Sequence, residues 1–428
     1  MTTPLYRSRP SGFEIQPASQ PEAERITDNI YLSQGLSNSY MITTSEGRIV
    51  INTGMGFEAP IHKRNFDAID SSPVRYILLT QGHVDHVGGV DLFREEGTEL
   101  IAQANNPSHQ QDDSRISAFR AARSSFAFAE AIARAWKYIQ ENSAAGMAGQ
   151  SRPTPDITFE DCYELELGGV RAELFSTPGG ETTDSMIIWL PDQEVCFCGN
   201  VFSALFGHFP NLVTVRGDRY REALRFIESV DRVQALEPEL LLTGHHGPVV
   251  GKEAIREELT RLREAVRYVH DETVRGMNHG KDIYTLMREI QLPPDLEVGQ
   301  GYGKVSWSVR AIWENYAGWF HHSSTTELYP VPAKSVHGDL VELAGGARAV
   351  AQRAKDRLGA GDTVEAIYLA ETVLSVEPRN TEALEAMVAA HEQLEQESEN
   401  FWLSQWLRKQ LNDLRSSLEA ARAKKADS

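Results

Sequence analysis

Three cysteines, Cys162, Cys196 and Cys198, in 428 residues are too few for a disulfide framework, so a reducing compartment is expected. No stretch approaches the ~20 consecutive apolar residues that cross a bilayer, and the amino terminus carries no apolar signal run. No membrane span is expected, and the cytoplasm is the expected location. Basic charge is scarce too. Lys and Arg number 42 against 61 Asp and Glu, a net charge of −19 relieved by no basic run, which excludes a nucleic-acid partner because its phosphates would be repelled. An anionic small molecule stays open, since a bound cation and a few arginines outweigh a distant surface field. The remaining composition, 41% hydrophobic and 24% charged, is that of a soluble globular protein, and the length calls for more than one domain.

The densest chemistry lies in Thr80 to Gly89, TQGHVDHVGG, directly after the apolar run Val74 to Leu79 that reads as a buried strand. His83, Asp85 and His86 therefore sit on a loop at a strand's carboxyl end, where open α/β sheets place their ligands. Imidazoles and a carboxylate this close together form half of a metal site, and Gly88 and Gly89 let the backbone turn tightly around it. The plainer alternative is a polar turn whose histidines cap the next helix. Other strand ends repeat the pattern. Thr177 to Asn200, TPGGETTDSMIIWLPDQEVCFCGN, presents Glu181 and Asp184 on a turn and Asn200 after the strand Val195 to Cys198. Leu240 to Val249, LLLTGHHGPV, halts at Gly244 and offers His245 and His246. Separate strand-to-loop junctions delivering donors to one edge are how a layered sheet builds a metal site from distant sequence.

Residues 1–25, rich in Pro, Ser and Gln, read as an extended arm. Short strands at Ile30 to Leu32, Ser39 to Thr43 and Arg48 to Asn52 and a helix from Ala59 to Ile69 give a sheet with helices laid over it. Ser117 to Asn142 is helical by composition; its Phe119, Phe126, Phe128 and Trp136 either pack on the sheet or line a pocket, and a loop runs from Gly146 to Pro155. The apolar loop Val201 to Pro210 suits a hydrophobic alcohol portion of a substrate or plugs against that helix. Its His208 is an acid for the leaving group, a ligand, or neither, and Cys198 is a remote metal candidate. Past His245 the chain turns helical, and from Val341 it reads as paired helical repeats of the tetratricopeptide kind, with Gly361 between helices.

The TQGHVDHVGG loop, the TPGGE turn, the FCGN strand end and the TGHHGP turn together resemble the metallo-β-lactamase superfamily, an αββα sandwich of hydrolases. FPNLVTVRGDRYREAL (Phe209 to Leu224) and VSWSVRAIWENYAGWF (Val305 to Phe320) resemble its alkylsulfatase branch, in the same order over about residues 25–425. That resemblance implies an α/β fold class with this organisation: an arm at 1–25, a metallo-β-lactamase-like catalytic domain at 26–265 with a helical insertion at about 113–145, and an all-α, tetratricopeptide-like dimerisation domain at 266–428. It also implies a homodimer. The chain ends where those enzymes continue into a sterol-carrier-like domain, which speaks against long-chain surfactant substrates.

By the same resemblance the metal positions are Gln81, His83, Asp85, His86, Glu181, Asn200 and His245, with Asp85 catalytic and Asn211 and Arg216 binding sulfate. Gln81 replaces a histidine, Asn200 a bridging carboxylate and Asn52 a structural aspartate. Amide oxygens are weaker donors than imidazole or carboxylate, so one zinc ion is expected at Asp85, His86 and His245 and a second, weaker one at Gln81, His83 and Glu181. Asp184 is a solvated turn carboxylate or a substitute ligand. Arg216 has the alternative of a surface pair with Asp218, and Arg219 and Arg221 are assigned to the following helix. The implied reaction is hydrolysis of a sulfate ester or related small ester by zinc-activated water, Asp85 orienting that water or accepting its proton. A lactonase or β-lactamase-like hydrolase and a catalytically weakened binding or scaffolding dimer are the alternatives.

Overall fold

Alternation along the strands sorts the sequence into layers. Tyr40, Ile42, Ile49 and Ile51 share one buried cluster while Met41 and Val50, between them in sequence, belong to another. That is the two-fold side-chain period of a strand. The same split separates Met186, Ile188 and Leu190 from Ile187 and Trp189. Strands apolar on both faces need cover on both, and the chain supplies it as two sheets packed face to face with helices outside.

The computed structural model describes residues 3–142 and 148–426. The last positions assigned to the insertion, 143–145, and the first of the loop expected from Gly146 lie outside the described residues. Among the described residues, β1 (Glu24–Arg25), β2 (Ile30–Ser33), β3 (Ser39–Thr44), β4 (Gly47–Ile51), β5 (Val74–Leu78), β6 (Glu99–Gln103) and β7 (Ile157–Phe159) form one sheet in sequence order. The second sheet comprises β8 (Cys162–Leu167), β9 (Val170–Ser176), β10 (Met186–Leu190), β11 (Val195–Gly199), β12 (Leu240–Thr243) and β13 (Val249–Val250), in reverse sequence order. Pairing is parallel from β4 through β7 and between β11 and β12, and antiparallel elsewhere.

On the first sheet's outer face lie α1 (Ala59–Asp67), α2 (Val84–Val87) and α3 (Val90–Phe93), whose Phe66, Val87, Val90 and Phe93 cover Met41, Val50 and Ile77. The insertion forms α4 (Asn106–Arg115) and α5 (Ser117–Asn142). In α5, Ala127, Ala131, Ala135 and Ile139 repeat every fourth residue and are buried, and Trp136 stacks on Phe57 at 5.6 Å. The second sheet is covered by α6 (Ala223–Leu236), α7 (Lys252–Asn278), α8 (Ile283–Glu289) and α9 (Val305–Ala317), which bring Phe226, Leu259, Val266 and Val309 onto Ile187, Cys196 and Leu241.

The chain divides into two compact units after Gly318, not after residue 265. Residue 265 lies inside α7, whose buried face runs on through Val266, Val269 and Thr273; cutting there would halve a helix that covers the sheet. In the second unit α10 (His337–Leu343), α11 (Ala347–Gly359), α12 (Thr363–Val376), α13 (Thr381–Glu397) and α14 (Phe401–Ala426) form the tetratricopeptide-like helical array. Ala351, Ala354, Ala370, Ala383 and Ala386 let neighbouring helices approach closely. The chain reverses between α11 and α12 at Gly361, whose φ of +86° a side chain would strain. No helix among the described residues is long and apolar enough to cross a membrane.

The first residues are not an extended arm. Leu5 N–H donates to Glu258, Tyr6 and Arg7 donate to Glu297, and Arg9 donates to the Gly247 and Pro248 carbonyls at 2.8 and 3.2 Å. Ile15 and Ala18 are buried against α5. A polar segment without a core of its own is ordered here as a strap along the sheet domain.

Candidate metal centre

Parallel pairing decides where the donors meet. β4 and β5 run together and so do β11 and β12, so Asn52, the Thr80 loop, Asn200 and the Gly244 turn all follow carboxyl ends. Main-chain bonds then tie the junctions together: Met186 N–H to Thr80 O at 2.9 Å, Gly244 N–H to Gly199 O at 2.8 Å and Asn38 N–H to Gly244 O at 2.7 Å. Asn52 pins the loop through both ends of its amide, accepting from Thr80 N–H at 3.0 Å and donating to Thr80 Oγ1 at 2.9 Å. The Thr80 hydroxyl also donates to Asn52 Oδ1 at 3.2 Å, so the amide meets both Thr80 groups, which an aspartate could hold only as an acceptor.

Asp85, His86 and His245 converge. Their donor atoms all lie within 4.8 Å of one another, with Asp85 Oδ2 at 3.6 Å from His86 Nε2 and 4.0 Å from His245 Nε2. Donors on a tetrahedral zinc ion with bonds of ~2.1 Å stand ~3.4 Å apart, so small rotations close the set around one ion. Ser37 Oγ lies 3.1 Å from His86 Nδ1 and 3.5 Å from its Nε2; with Nε2 as the ligand, Nδ1–H donates to that hydroxyl at the shorter distance and fixes the ring. Burial pushes His86 down and His245 down to about 4, so both imidazoles are neutral near pH 7, as ligands must be. Burial opposes ionisation of Asp85, but His86, His245, His83 and Arg216 outweigh it and hold the carboxyl below its usual range. A carboxylate and two neutral imidazoles fit a divalent cation.

Gln81, His83 and Glu181 are not gathered in the same way. The Gln81 amide lies 2.6 Å from His83 Nδ1, and the other face of the ring meets Arg216 at 3.3 Å and Asp218 at 3.6 Å. Burial drives His83 down to about 3. Glu181 is bonded instead to Arg221, both side chains being buried. Burial raises the Glu181 carboxyl to about 7 even against the Arg221 and Arg216 charges. Asn200 N–H donates to Gln81 Oε1 at 3.3 Å, while its own Oδ1 is buried without a partner. Asn211 is buried, and Arg216 keeps 20% of its side chain exposed beside His83. A cavity of about 290 Å³ opens over His83 and Arg216, lined also by Ser117, Ser124, Gln150 and Arg152.

Several expectations are corrected. Arg221 precedes α6, which starts at Ala223, and points into the protein; Arg219 is exposed and pairs with Asp112. Asp184 is not solvated: it is fully buried and accepts from Asn106 Nδ2 at 2.7 Å. Phe202, Leu205, Phe206 and Phe209 are core, because the outer face of the second sheet needs cover. His208 accepts from Gly301 N–H at 2.9 Å and rests on the Tyr6 ring, away from the donors. Cys198 is buried, its Sγ near Leu242 O at 3.5 Å, and burial raises its thiol to about 12, far from a ligand thiolate. Sequence reasoning passed over Ser37, Arg120 and the roles of Asp218 and Arg221, since ordinary polar residues carry no spacing signal.

An αββα sandwich with Asp, His and His donors at the shared carboxyl edge is the scaffold of a metal-dependent hydrolase. The chain belongs to the metallo-beta-lactamase superfamily, which residues 32–245 match, and residues 283–417 match the alkyl sulfatase dimerisation family. A linear primary-alkylsulfatase of Pseudomonas sp. (strain ATCC 19151) is 27% identical over 397 residues, covering 89% of this chain and 74% of that protein. The alkyl/aryl-sulfatase BDS1 of Saccharomyces cerevisiae is 26% identical over 418 residues, covering 90% of this chain. The chain spans only 62% of that relative's length. Among solved structures, the stereoselective inverting sec-alkylsulfatase Pisa1 from Pseudomonas sp. superposes with a TM-score of 0.77 at 21% identity, covering 94% of this chain and 65% of that one. That likeness establishes the fold.

Proposed function

We propose that the protein hydrolyses a sulfate ester of a small alcohol, using one zinc ion held by Asp85, His86 and His245. The convergence of those donors, with Arg216 against the neighbouring His83, carries the reading. Zinc bound there supplies a Lewis acid and water that deprotonates near pH ~7. Asp85, ionised and with 23% of its side chain exposed, would hold the ion and be placed to orient a water or accept its proton. Arg216 and Asn211 receive the tetrahedral oxyanion; a guanidinium fork suits its oxygens and stays charged through turnover. Ser37 keeps His86 in register. The adjoining cavity offers Met55, Val84 and Val87 as well as serine hydroxyls, two amides and arginines, so an alcohol portion would meet apolar and polar contacts there.

The match of residues 283–417 to the alkyl sulfatase dimerisation family supports a homodimer, and three unpaired cysteines support a reducing, cytoplasmic setting. A binding or scaffolding role is favoured by one observation, the Glu181–Arg221 pair, which removes a donor from the edge. Sulfate release from short sulfate esters by zinc-loaded protein, with His245→Ala as the control, separates the two. Release that needs both zinc and His245 supports the hydrolase. Stoichiometric zinc with no release from any ester would leave the binding role.

A further inference from the structure

We infer that the protein holds a single divalent metal ion per chain, because the Arg221 guanidinium occupies the electrostatic place of a second one. The inference rests on the proposed metal centre and concerns the donors that the centre leaves out. Arg221 donates through Nη1 to the Glu181 carboxylate, the side chains being 5% and 6% exposed, and its Nη2 lies 4.0 Å from Asp218. The backbone builds this in. Arg221 N–H donates to Leu212 O at 3.0 Å and Glu222 N–H to Gly179 O at 2.9 Å, fastening the arginine to the turn that carries Glu181.

The carboxylates nearest Arg221 are already met by guanidinium groups. Arg120 bonds Asp113 and reaches Asp218 at 2.9 Å; Arg216 lies 3.8 Å from Asp218 and Arg221 pairs with Glu181. Asp113, Asp218 and Glu181 each have a guanidinium, Asp184 has Asn106 and His109 beside it, and His83 has a neighbour on both nitrogens. A dication here would have to displace Arg221 from Glu181 and then sit among arginines, with His83 and the neutral amides of Gln81 and Asn200 as its remaining donors. Asp85, by contrast, has no lysine or arginine within ion-pair distance among the described residues; its close partners are His86 and His245. The two halves of one strand edge thus take different cations: a metal ion on one side, a fixed guanidinium on the other.

Metal stoichiometry tests this directly, by elemental analysis after dialysis and by cobalt titration followed through visible absorption. Wild type is expected to hold about one equivalent. Gln81→His with Asn200→Asp improves the donors while leaving Arg221 in place, and stays at about one. Adding Arg221→Met to that pair yields a second equivalent with its own cobalt band; should that variant not fold by circular dichroism, Arg221→Gln replaces it. Two equivalents in wild type, or in the Gln81→His/Asn200→Asp variant, would overturn the inference and leave the hydrolase reading standing. A folded triple variant that still binds one would overturn it as well. No metal in wild type would overturn the hydrolase reading and this inference with it.

Discussion

Removing one hydroxyl, that of Ser37, separates a metal-supporting contact from a merely structural one. Ser37 Oγ is buried 3.1 Å from His86 Nδ1 and 3.5 Å from its Nε2, and among the described residues it makes no hydrogen bond to Asp85 or His245. Ser37→Ala leaves the ligand set intact but frees the ring, and partners of this kind are worth roughly 10- to 100-fold in metal affinity. At free zinc 100 times the wild-type Kd, binding stabilises the fold by about 2.7 kcal/mol. In the variant the same zinc concentration is about 10 to 1 times Kd, and the gain falls to about 1.4 to 0.4 kcal/mol. The metal-free variant loses only about 1 kcal/mol for the missing hydrogen bond. Urea unfolding of both proteins with and without buffered zinc gives all four stabilities, and chelator competition gives Kd independently. An equal loss with and without zinc, at unchanged Kd, would refute the reasoning and leave Ser37 as a fold contact.

Arg216→Ala is expected to lower kcat/KM for a sulfate ester by about 10- to 100-fold through loss of a charge-assisted bond, with zinc content unchanged; loss of zinc together with activity would place Arg216 in the metal centre instead. His62 is pushed down to about 3 by burial, so between about pH 4 and 5.5 it is neutral folded and protonated unfolded, and stability falls on acidification. His62→Gln should flatten the acid limb of unfolding free energy against pH by about 1.4 kcal/mol per unit; an unaltered slope would show that the folded ring titrates normally. Glu58 acts in the opposite sense: burial raises it to about 7, so its contribution is lost as pH rises through about 4.5 to 7, and Glu58→Gln should stabilise the protein more at pH 8 than at pH 4, as urea midpoints at the two values will show. Arg9→Met leaves the Gly247 and Pro248 carbonyls without their donor and should cost about 1.5–3 kcal/mol in the same assay; a change under half of that would mean the strap is held elsewhere.

The layers and the metal edge were legible because both are written in short-range pattern. Tyr40, Met41 and Ile42 alternate as a doubly buried strand must, and His83, Asp85 and His86 follow directly on such a run. His245 was legible through the glycine that ends β12. What escaped depends on residues distant in sequence. Ser37 matters because β2 and β3 turn beneath α2, and nothing around it marks a ligand's partner. Arg221 looked like the opening of a helix, yet Leu212 and Gly179 hold its segment against the Glu181 turn. The phenylalanines of the 201–210 loop could serve a pocket or a core by composition alone. The bare outer face of Ile187, Trp189, Cys196 and Cys198 decides for the core. The arm was misread for the same reason: a Pro- and Ser-rich segment shows its polarity, whereas its docking partners Glu258 and Glu297 stand far along the chain.

That distance sets an order of events on the ribosome. Arg7 waits for Glu297, 290 residues later, which at about 5–20 residues per second is roughly 15–60 s of synthesis. His245 and the Gly247 carbonyl emerge before the glutamate that fastens the strap's leading end. A nascent chain thus completes its set of ligand residues before it has made Glu297, the residue that fastens Tyr6 and Arg7.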